Sequence, residues 1–432
     1  MTDVVDEDRR DLDGVSPSTS MNDVMVFHPG RQHAYEVAVA LQTAGRLQAF
    51  HTSVYYRPDR WPYRVIEWLP RDRRDRAQRR LAYRRHPLLS DERVRSWPYA
   101  ELIAQTLGRV PALAYATRGW IGSPFHAWAS DLHMSRWLGK AVDRPGAIYG
   151  FEGGSLRVFR QAKWQGIATI LDIPMVADGQ SIIETEAKAF GVSVPAVPGL
   201  ERRKAKERQI ADWAIVPSRA VAESVAKTGV PPERTLTVPF GVNVDLFQPT
   251  PKAQARTAGL RVVFAGKFSL RKGVQYAIPG WINAKIPGEF RIIGPPAEPA
   301  FVNAMRSGYR GAFTEVGNLL IHDLANELAA ADVFVFPSLA EGSALVTYEA
   351  LASGLPCIVT AESGSIVRDG VEGFVVPARD AGAITARLKL LADNADLRAR
   401  MGRAARLRAE QFTWADYGRR LAAAVEQVLA NA

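Results

Sequence analysis

Two glutamates stand out as residues whose type and spacing suit ligand chemistry. Glu341 follows the short apolar run Val333–Phe336, and Glu349 comes eight positions later, in a stretch with helical spacing that ends near Gly354. A strand followed by a loop and a helix can present both carboxylates to one cleft. Because a carboxylate accepts two hydrogen bonds at once, the pair suits a ligand that is rich in hydroxyl groups.

Small residues follow the first glutamate and leave room for such a ligand. Gly342, Ser343 and Ala344 allow a ligand to approach the main chain, and the amide groups at the helix start, near Leu345, form a site for phosphate. The segment therefore predicts a polar, phosphorylated ligand.

The elements that must position these residues recur as an alternation of strands and helices. Short apolar runs typical of buried parallel strands alternate with amphipathic helical stretches in both halves of the chain. Two such halves leave a cleft between them, and ligands of open parallel sheets bind at the carboxyl ends of the strands. The predicted strands are Asp23–Phe27, Leu47–Tyr56, Ala147–Tyr149, Thr169–Leu171 and Trp213–Val216 in the first half, and Val262–Ala265, Arg291–Ile293, Val333–Phe336, Cys357–Thr360 and Phe374–Val376 in the second.

The domain organisation follows from this pattern and from the segments that lack it. Residues 1–20 are acidic, have no apolar stretch and predict a disordered tail rather than a signal peptide. We place a first α/β domain at 21–245, a linker at 246–260 and a second α/β domain at 261–413. Residues 414–432 predict a terminal helix.

Composition excludes several classes of protein. A chain of 432 residues with 47% hydrophobic and 23% charged residues is long enough for sizeable cores and is not disordered. Its single cysteine, Cys357, excludes a disulfide scaffold and cysteine-rich metal sites, and the seven histidines show no zinc-like spacing, so we predict no metal site. We expect a cytoplasmic protein without a transmembrane segment.

Most of the positive charge lies in one stretch. The chain has a net charge of +10, and the stretch 57–95 holds thirteen arginines against six acids, together with Trp61 and Trp68. No helix-turn-helix or RNA-stacking motif accompanies it, so we predict no nucleic-acid partner. Two readings remain open: peripheral contact with an anionic membrane, on the inner face of the cell membrane, or a solvated basic insert.

Several motifs together resemble those of the family 4, group 1, retaining glycosyltransferases. The hallmark of that family is two glutamates separated by seven residues, matched by Glu341 and Glu349. The loop 264–274 is similar to the family's, with Lys267 directly after Gly266 and with Lys272 further on. Residues 364–380 resemble the segment that closes the donor half, 238–249 the interdomain turn, and 412–417 the start of the terminal helix.

The resemblance implies a GT-B fold, in which two Rossmann-like domains face each other across a cleft and the C-terminal helix returns to the first domain. It also implies transfer of a sugar from a nucleotide diphosphate sugar with retained anomeric configuration, and no further cofactor. The acceptor, a glycan, a lipid-linked glycan or a small molecule, is not specified, nor is the oligomeric state. A nucleotide-sugar epimerase of the same fold and a non-catalytic, membrane-associated binding protein are the alternatives.

Residue roles follow from the resemblance and from charge. We expect Lys267 and Lys272 to stabilise the negative charge that develops on the departing phosphate. The alternative is that each is a solvated loop lysine. We expect Glu349 to bind the ribose hydroxyls. We expect Glu341 to be catalytic with the two lysines: it would hold the hydroxyls of the donor sugar and lie near the positive charge that develops on the sugar ring.

The first domain is less well matched to the family. Gly30 either leaves space for the pyrophosphate or forms a tight turn. Leu171 occupies the position where many members have histidine, and Asp172 then either orients the acceptor or is a buried turn carboxylate.

Overall fold

The computed structural model describes residues 23–30, 33–107, 123–194, 199–250 and 259–431. The predicted tail, residues 1–20, and the central part of the predicted linker, residues 251–258, lie outside these ranges.

The first domain is built on a sheet whose seven described strands are all parallel, in the order β3-β2-β1-β4-β5-β6-β7. Helices connect the strands. The strands are β1 (Val24–Phe27), β2 (Leu47–Thr52), β3 (Val94–Ser96), β4 (Ala147–Phe151), β5 (Ala168–Asp172), β6 (Trp213–Val216) and β7 (Thr235–Thr237). The helices are α1 (Ala34–Thr43), α2 (Arg71–Ala82), α3 (Tyr99–Leu107), α4 (Ser123–Lys140), α5 (Leu156–Trp164), α6 (Gly179–Ala189), α7 (Leu200–Ile210) and α8 (Arg219–Ala226).

The second domain repeats the arrangement with a parallel sheet of six described strands in the order β10-β9-β8-β11-β12-β13. The strands are β8 (Leu260–Ala265), β9 (Gly288–Ile293), β10 (Thr314–Gly317), β11 (Val333–Phe336), β12 (Cys357–Thr360) and β13 (Gly373–Val376). The helices are α9 (Val274–Ala284), α10 (Pro299–Gly308), α11 (Ile321–Ala329), α12 (Leu345–Ala352), α13 (Ala381–Asp393), α14 (Ala395–Glu410) and α15 (Trp414–Ala430).

Strand order reverses at one point in each sheet. Strand β1 lies between β2 and β4, and strand β8 lies between β9 and β11. Connections leave such a point in opposite directions, so the loops at the carboxyl ends of the strands open a crevice. The fold therefore places the loop after β8 next to the loop after β11.

The predicted fold class is confirmed, and the predicted strands differ from the observed ones mainly at their ends. Strand β2 ends at Thr52 rather than at Tyr56, because Val54 and Tyr56 turn away to pack with Tyr63 and Ile66 in a small separate core. Strands β3, β7 and β10 were not predicted. They are three or four residues long and carry polar side chains, so they lack the apolar run that marks a buried strand.

The terminal helix returns to the first domain, as the fold predicts. Helix α15 packs against α1, and Arg46 forms an ion pair of 3.6 Å with Glu426 of α15. Thr413 and Asp416 form a capping box at the start of the helix, and Tyr417 in its first turn is buried. The helix that follows the second domain in the sequence therefore packs on the first.

The charged run of α7 corrects a simple expectation. The charged run at residues 201–208 predicts one solvated helix face, yet Glu207 and Arg208 are buried. Glu207 accepts hydrogen bonds from the main-chain N–H groups of Ser155 at 2.8 Å and Leu156 at 3.0 Å, where α5 begins. The Glu207 carboxylate thus accepts hydrogen bonds from amide groups at the start of α5 that have no partner within that helix.

The arginine-rich stretch is only partly solvated. Arg57 is buried and donates to the carbonyl oxygen of Val94 at 2.9 Å, and Arg93 donates to that of Leu47 at 2.6 Å. Arg84 forms an ion pair with the buried Glu101. Arg57 and Arg84 thus help to hold the insert, whereas other arginines, including Arg71, Arg73 and Arg76 of α2, are exposed. The choice between a solvated insert and membrane contact stays a prediction.

We predict that Glu207→Ala destabilises the first domain by about 3–5 kcal/mol, because it leaves buried amide groups and the Arg203 guanidinium without their shared carboxylate. Denaturant unfolding followed by circular dichroism measures this loss. The matched control is Glu201→Ala, an exposed position on the same helix, which should change stability by less than about 0.5 kcal/mol. Equal losses for the two variants would contradict the role given to Glu207.

Candidate functional site

The loops that follow β8 and β11 are joined by their main chains. The amide of Leu339 donates to the carbonyl oxygen of Arg271 at 2.8 Å, and the hydroxyl of Ser338 donates to the same oxygen at 3.0 Å. Gly273, with a φ of +72°, lies so close that a Cβ there would overlap the carbonyl oxygen of Pro337. Only glycine fits this approach, and it sets the position of the preceding Lys272.

The side chains of the same two loops meet at one carboxylate. The Lys272 ammonium lies 2.5 Å from Glu341 Oε1, and the Arg271 guanidinium binds the same oxygen. Arg271 also donates to the carbonyl oxygen of Ala340 at 2.9 Å, and Lys272 Nζ lies 5.0 Å from the centroid of the Phe336 ring. The structure thus brings two predicted catalytic residues, Glu341 and Lys272, into direct contact.

Positive charge exceeds negative charge in this cluster. Burial lowers the pKa of Lys272, Glu341 opposes that effect, and the nearby charges of Arg271 and Lys267 lower the pKa further. Lys267 is exposed and lies in the same loop. Three cations around one carboxylate leave a net positive site that can attract an anion.

Arg271 is the residue of this cluster that the sequence prediction missed. It lies in a single turn of 3-10 helix, Leu270–Lys272, directly beside a predicted lysine. Adjacent residues of a regular element diverge, so sequence spacing gave no reason to expect both cations on one oxygen. The adjacent Arg-Lys pair after a buried strand was the only available signal.

Glu349 lies on α12 in surroundings that disfavour its charge. Burial raises the pKa of this carboxyl from its ordinary 4.5 to about 7. Within the described part of the chain, no hydrogen bond or ion pair reaches its side chain. A desolvated carboxyl without a partner is costly, and hydroxyl donors from a ligand would offset that cost.

The small residues that follow Glu341 contact the first domain and the loop after β12. A Cβ at Gly342 would overlap the carbonyl oxygen of Pro174, and the hydroxyl of Ser218 donates to the carbonyl oxygen of Gly342. Ser343 donates to the carbonyl oxygen of Gly364 at 3.0 Å, and the Ala344 amide donates to that of Ser363 at 3.1 Å.

These predicted ligand contacts thus have structural partners of their own. At the start of α12, Leu345 is exposed. In the loop after β8, Gly266 has a φ of +147°, and a Cβ there would lie 3.3 Å from the Phe336 ring.

Gly30 lies at the carboxyl end of β1, on the opposite side of the crevice. Its amide donates to His28 Nδ1 at 2.8 Å, and its carbonyl oxygen accepts from the Thr52 hydroxyl at 3.4 Å. Burial lowers the pKa of His28 to about 4, so the ring is neutral and Nδ1 is free to accept. These contacts explain Gly30 as part of a tight turn, and its contact with a ligand remains a prediction.

Asp172 ends β5 and is almost completely buried. His33 Nε2 lies 2.9 Å from its Oδ2, and the Tyr149 hydroxyl donates to the same oxygen at 2.6 Å. The ring of His33 also packs on Phe240 at 4.6 Å between centroids. Position 171 on β5 is leucine rather than histidine. The histidine that contacts the Asp172 carboxylate is instead His33, which lies just before α1.

We predict that the stability of Glu349→Gln relative to the natural protein depends on pH. In the folded protein the pKa is about 7 rather than 4.5, so the natural protein loses stability as pH rises between these values, whereas the glutamine variant does not. At about 1.4 kcal/mol per pKa unit, the variant should gain roughly 3 kcal/mol relative to the natural protein from pH 4.5 to pH 8. Urea unfolding across this pH range measures the difference, and a pH-independent difference would contradict the buried, unpartnered state of Glu349.

Comparison with known proteins supports the assignment of the second domain. Residues 259–394 match the family model described as Glycosyl transferases group 1. A similar protein is the MMP alpha-(1->4)-mannosyltransferase of Mycolicibacterium hassiacum, which is 29% identical over 241 residues, covering 54% of this chain and 58% of that protein. The chain spans about half the length of the curated relatives that it matches first.

Solved structures share the whole architecture. Sucrose-phosphate synthase from Thermosynechococcus elongatus superposes with a TM-score of 0.64 at 19% identity, over 95% of this chain and all of that one. Anabaena Alr3699/HepE, crystallised in complex with UDP, superposes with a TM-score of 0.61 at 13% identity, over 94% of this chain and all of that one. The second domain is therefore similar to the group 1 glycosyltransferases, within a chain that has the two-domain GT-B fold.

Proposed function

We propose that this protein is a retaining glycosyltransferase that moves a sugar from a nucleotide diphosphate sugar to a carbohydrate or lipid-linked acceptor. The observation that carries the proposal is the cluster of Lys267, Arg271 and Lys272 with Glu341 where the loops after β8 and β11 meet. The cluster lies at the point of strand-order reversal, where parallel sheets bind their ligands.

The cations suit the leaving group of such a reaction. When the bond between the sugar's anomeric carbon and the diphosphate oxygen breaks, negative charge develops on that oxygen. Lys272, held in place by Glu341, stabilises this charge more in the transition state than in the ground state, and Lys267 adds to the positive potential. The proposal needs no further cofactor.

Glu349 suits the nucleoside end of the donor. Its largely buried carboxyl lacks a partner in the described part of the chain, and two adjacent ribose hydroxyls can donate to its two oxygens. These hydrogen bonds would favour the carboxylate and lower the raised pKa on binding. We choose UDP as the first probe because the structural neighbour from Anabaena was crystallised with it.

We predict that one substitution mainly weakens UDP binding and that another mainly lowers turnover. Glu349→Ala should weaken UDP binding by about 1.5–3 kcal/mol, which is roughly 10- to 150-fold in Kd, because a charge-assisted contact is lost. Lys272→Ala should lower kcat by roughly 10²–10³-fold and weaken UDP binding less. Calorimetry with UDP and UDP release from UDP-sugars measure the two effects, with the exposed Lys389→Ala of α13 as the control.

Two results would contradict these roles. Unchanged UDP affinity in Glu349→Ala would remove the ribose contact, and unchanged turnover in Lys272→Ala would exclude Lys272 as the group that stabilises the departing phosphate. Analysis of the sugar product separates the epimerase alternative, since transfer releases UDP whereas epimerisation returns an altered UDP-sugar.

A surface of the insert supports a second proposal, contact with an anionic membrane. Trp61 is 69% exposed and Trp68 is 82% exposed, beside α2, on which Arg71, Arg73 and Arg76 are exposed. Exposed indoles next to arginines suit the headgroup region of an anionic bilayer. None of the helices in the described ranges has the length and apolar character that crossing a bilayer requires.

We predict that the protein floats with vesicles containing phosphatidylserine and not with purely zwitterionic vesicles. Because each arginine near the surface contributes about 1 kcal/mol, Arg73→Ala combined with Arg76→Ala should weaken flotation strongly, and high salt should abolish it. The exposed Arg219→Ala on α8 is the control for a general loss of charge. Flotation that is indifferent to salt and to the double substitution would exclude this contact.

A further inference from the structure

A cavity lies in the first domain, at the carboxyl ends of β1, β2 and β3 and against α4. Its volume is about 220 Å³, and its lining includes His51 of β2, Trp97 after β3, and Ser130 of α4. At roughly 30 Å³ per water, this volume equals that of about seven waters, which suits one small ring with its substituents. None of its lining residues belongs to the proposed donor site.

Two aromatic pairs line the cavity, one stacked and one tilted. The ring of His133 stacks on Trp97, with centroids 4.3 Å apart and planes inclined by 4°. The centroid of the His51 ring lies 4.4 Å from that of Trp137, with the planes inclined by 56°. These contacts place two indoles and two imidazoles around the space.

Two buried polar atoms of the lining have no hydrogen-bond partner in the described part of the chain. They are Nε2 of His51, a residue that is 6% exposed, and Oγ of Ser130, a residue that is 4% exposed. Leaving a buried polar atom unpaired costs about 1–3 kcal/mol. A ligand with hydroxyl groups would supply both missing partners.

Among the described residues that line the cavity, Arg95 alone carries a formal charge. Burial, assisted by the charges of Arg95 and His133, lowers the pKa of His51 to about 3, so its ring carries no charge at neutral pH. Arg95 is exposed, and one of its N–H groups already donates to the carbonyl oxygen of Glu92 at 2.7 Å. No carboxylate is among the lining residues. We therefore expect the interior of the cavity to hold a neutral ligand rather than a charged one.

The cavity lies beside the turn at Gly30, on the first domain's side of the crevice. Thr52 is part of its lining, and the Thr52 hydroxyl donates to the carbonyl oxygen of Gly30 at 3.4 Å. Both features lie at the carboxyl edge of the first sheet, the edge at which parallel sheets bind ligands.

We propose that this cavity binds one neutral monosaccharide ring of the acceptor, with His51 Nε2 and Ser130 Oγ bonded to its hydroxyls and the indoles of Trp97 and Trp137 packed against its apolar face. Sugar rings combine hydroxyl edges with C–H faces, which matches a neutral polar and aromatic lining. This proposal rests on the proposed function and narrows its acceptor to a hydroxylated ring.

To test this, a panel of neutral methyl glycosides is added to the full chain. Saturation-transfer NMR and tryptophan fluorescence measure their binding. We expect at least one glycoside to bind, and Ser130→Ala to weaken that binding by roughly five- to tenfold. Ser135→Ala, which lies on the same helix but outside the lining, is the matched control and should bind normally. His51→Leu should weaken binding similarly, and thermal melting identifies any variant that fails to fold.

The outcomes separate this proposal from the proposed function. Glycoside binding that Ser130→Ala weakens and Ser135→Ala does not would support the cavity, even in a protein without transfer activity, which would contradict the transferase proposal alone. The cavity proposal is overturned if no glycoside binds, or if both serine variants bind as the natural protein does. It is also overturned if inorganic phosphate occupies the cavity and neutral sugars do not, because Arg95 would then define an anion site.

Discussion

The two loops of the candidate site depend on one ion cluster, the Glu341 carboxylate held between Arg271 and Lys272. Each partner needs the other, since a buried carboxylate without cations and partly buried cations without a carboxylate are both costly. The cluster also joins the loop after β8 to the loop after β11, where strand order reverses. The ion cluster therefore lies at the point where strand order reverses, and its net positive charge can attract an anionic ligand.

The same loop connects the cluster to the first domain. Directly after Glu341, Gly342 lies against Pro174 and accepts a hydrogen bond from Ser218. At a second contact, the buried Glu186 of α6 binds Arg379 of the second domain at 2.8 Å. Because the segment that holds the carboxylate also touches the opposite domain, the relative position of the domains and the geometry of the cluster are linked.

Sequence reasoning was most successful where one residue type has one physical explanation. Continuous apolar runs identified the central strands, and Glu341 and Lys272 were predicted as partners of one site. Glu349 was predicted as a ligand contact, and its unpartnered, desolvated carboxyl is compatible with that role. Short edge strands were missed, because their pairing depends on neighbouring strands rather than on an apolar pattern of their own.

Contacts between distant parts of the chain were beyond the reach of sequence spacing. Arg271 shares an oxygen with Lys272 only because of a tight 3-10 turn, and His33 reaches Asp172 from the start of another helix. The buried Glu207 read as part of a charged surface, since its amide partners lie about fifty residues earlier in the chain. In each case, the partner is chosen by the fold, so the residue type alone gives no indication of its role.

A crystal structure of the protein with UDP bound tests the role of the Glu341 cluster most directly. We expect the diphosphate to lie within hydrogen-bonding distance of the Lys272 ammonium and the ribose hydroxyls to bind Glu349. UDP bound elsewhere, or bound in the crevice with its diphosphate turned away from the cluster of Lys272 and Glu341, would contradict this role.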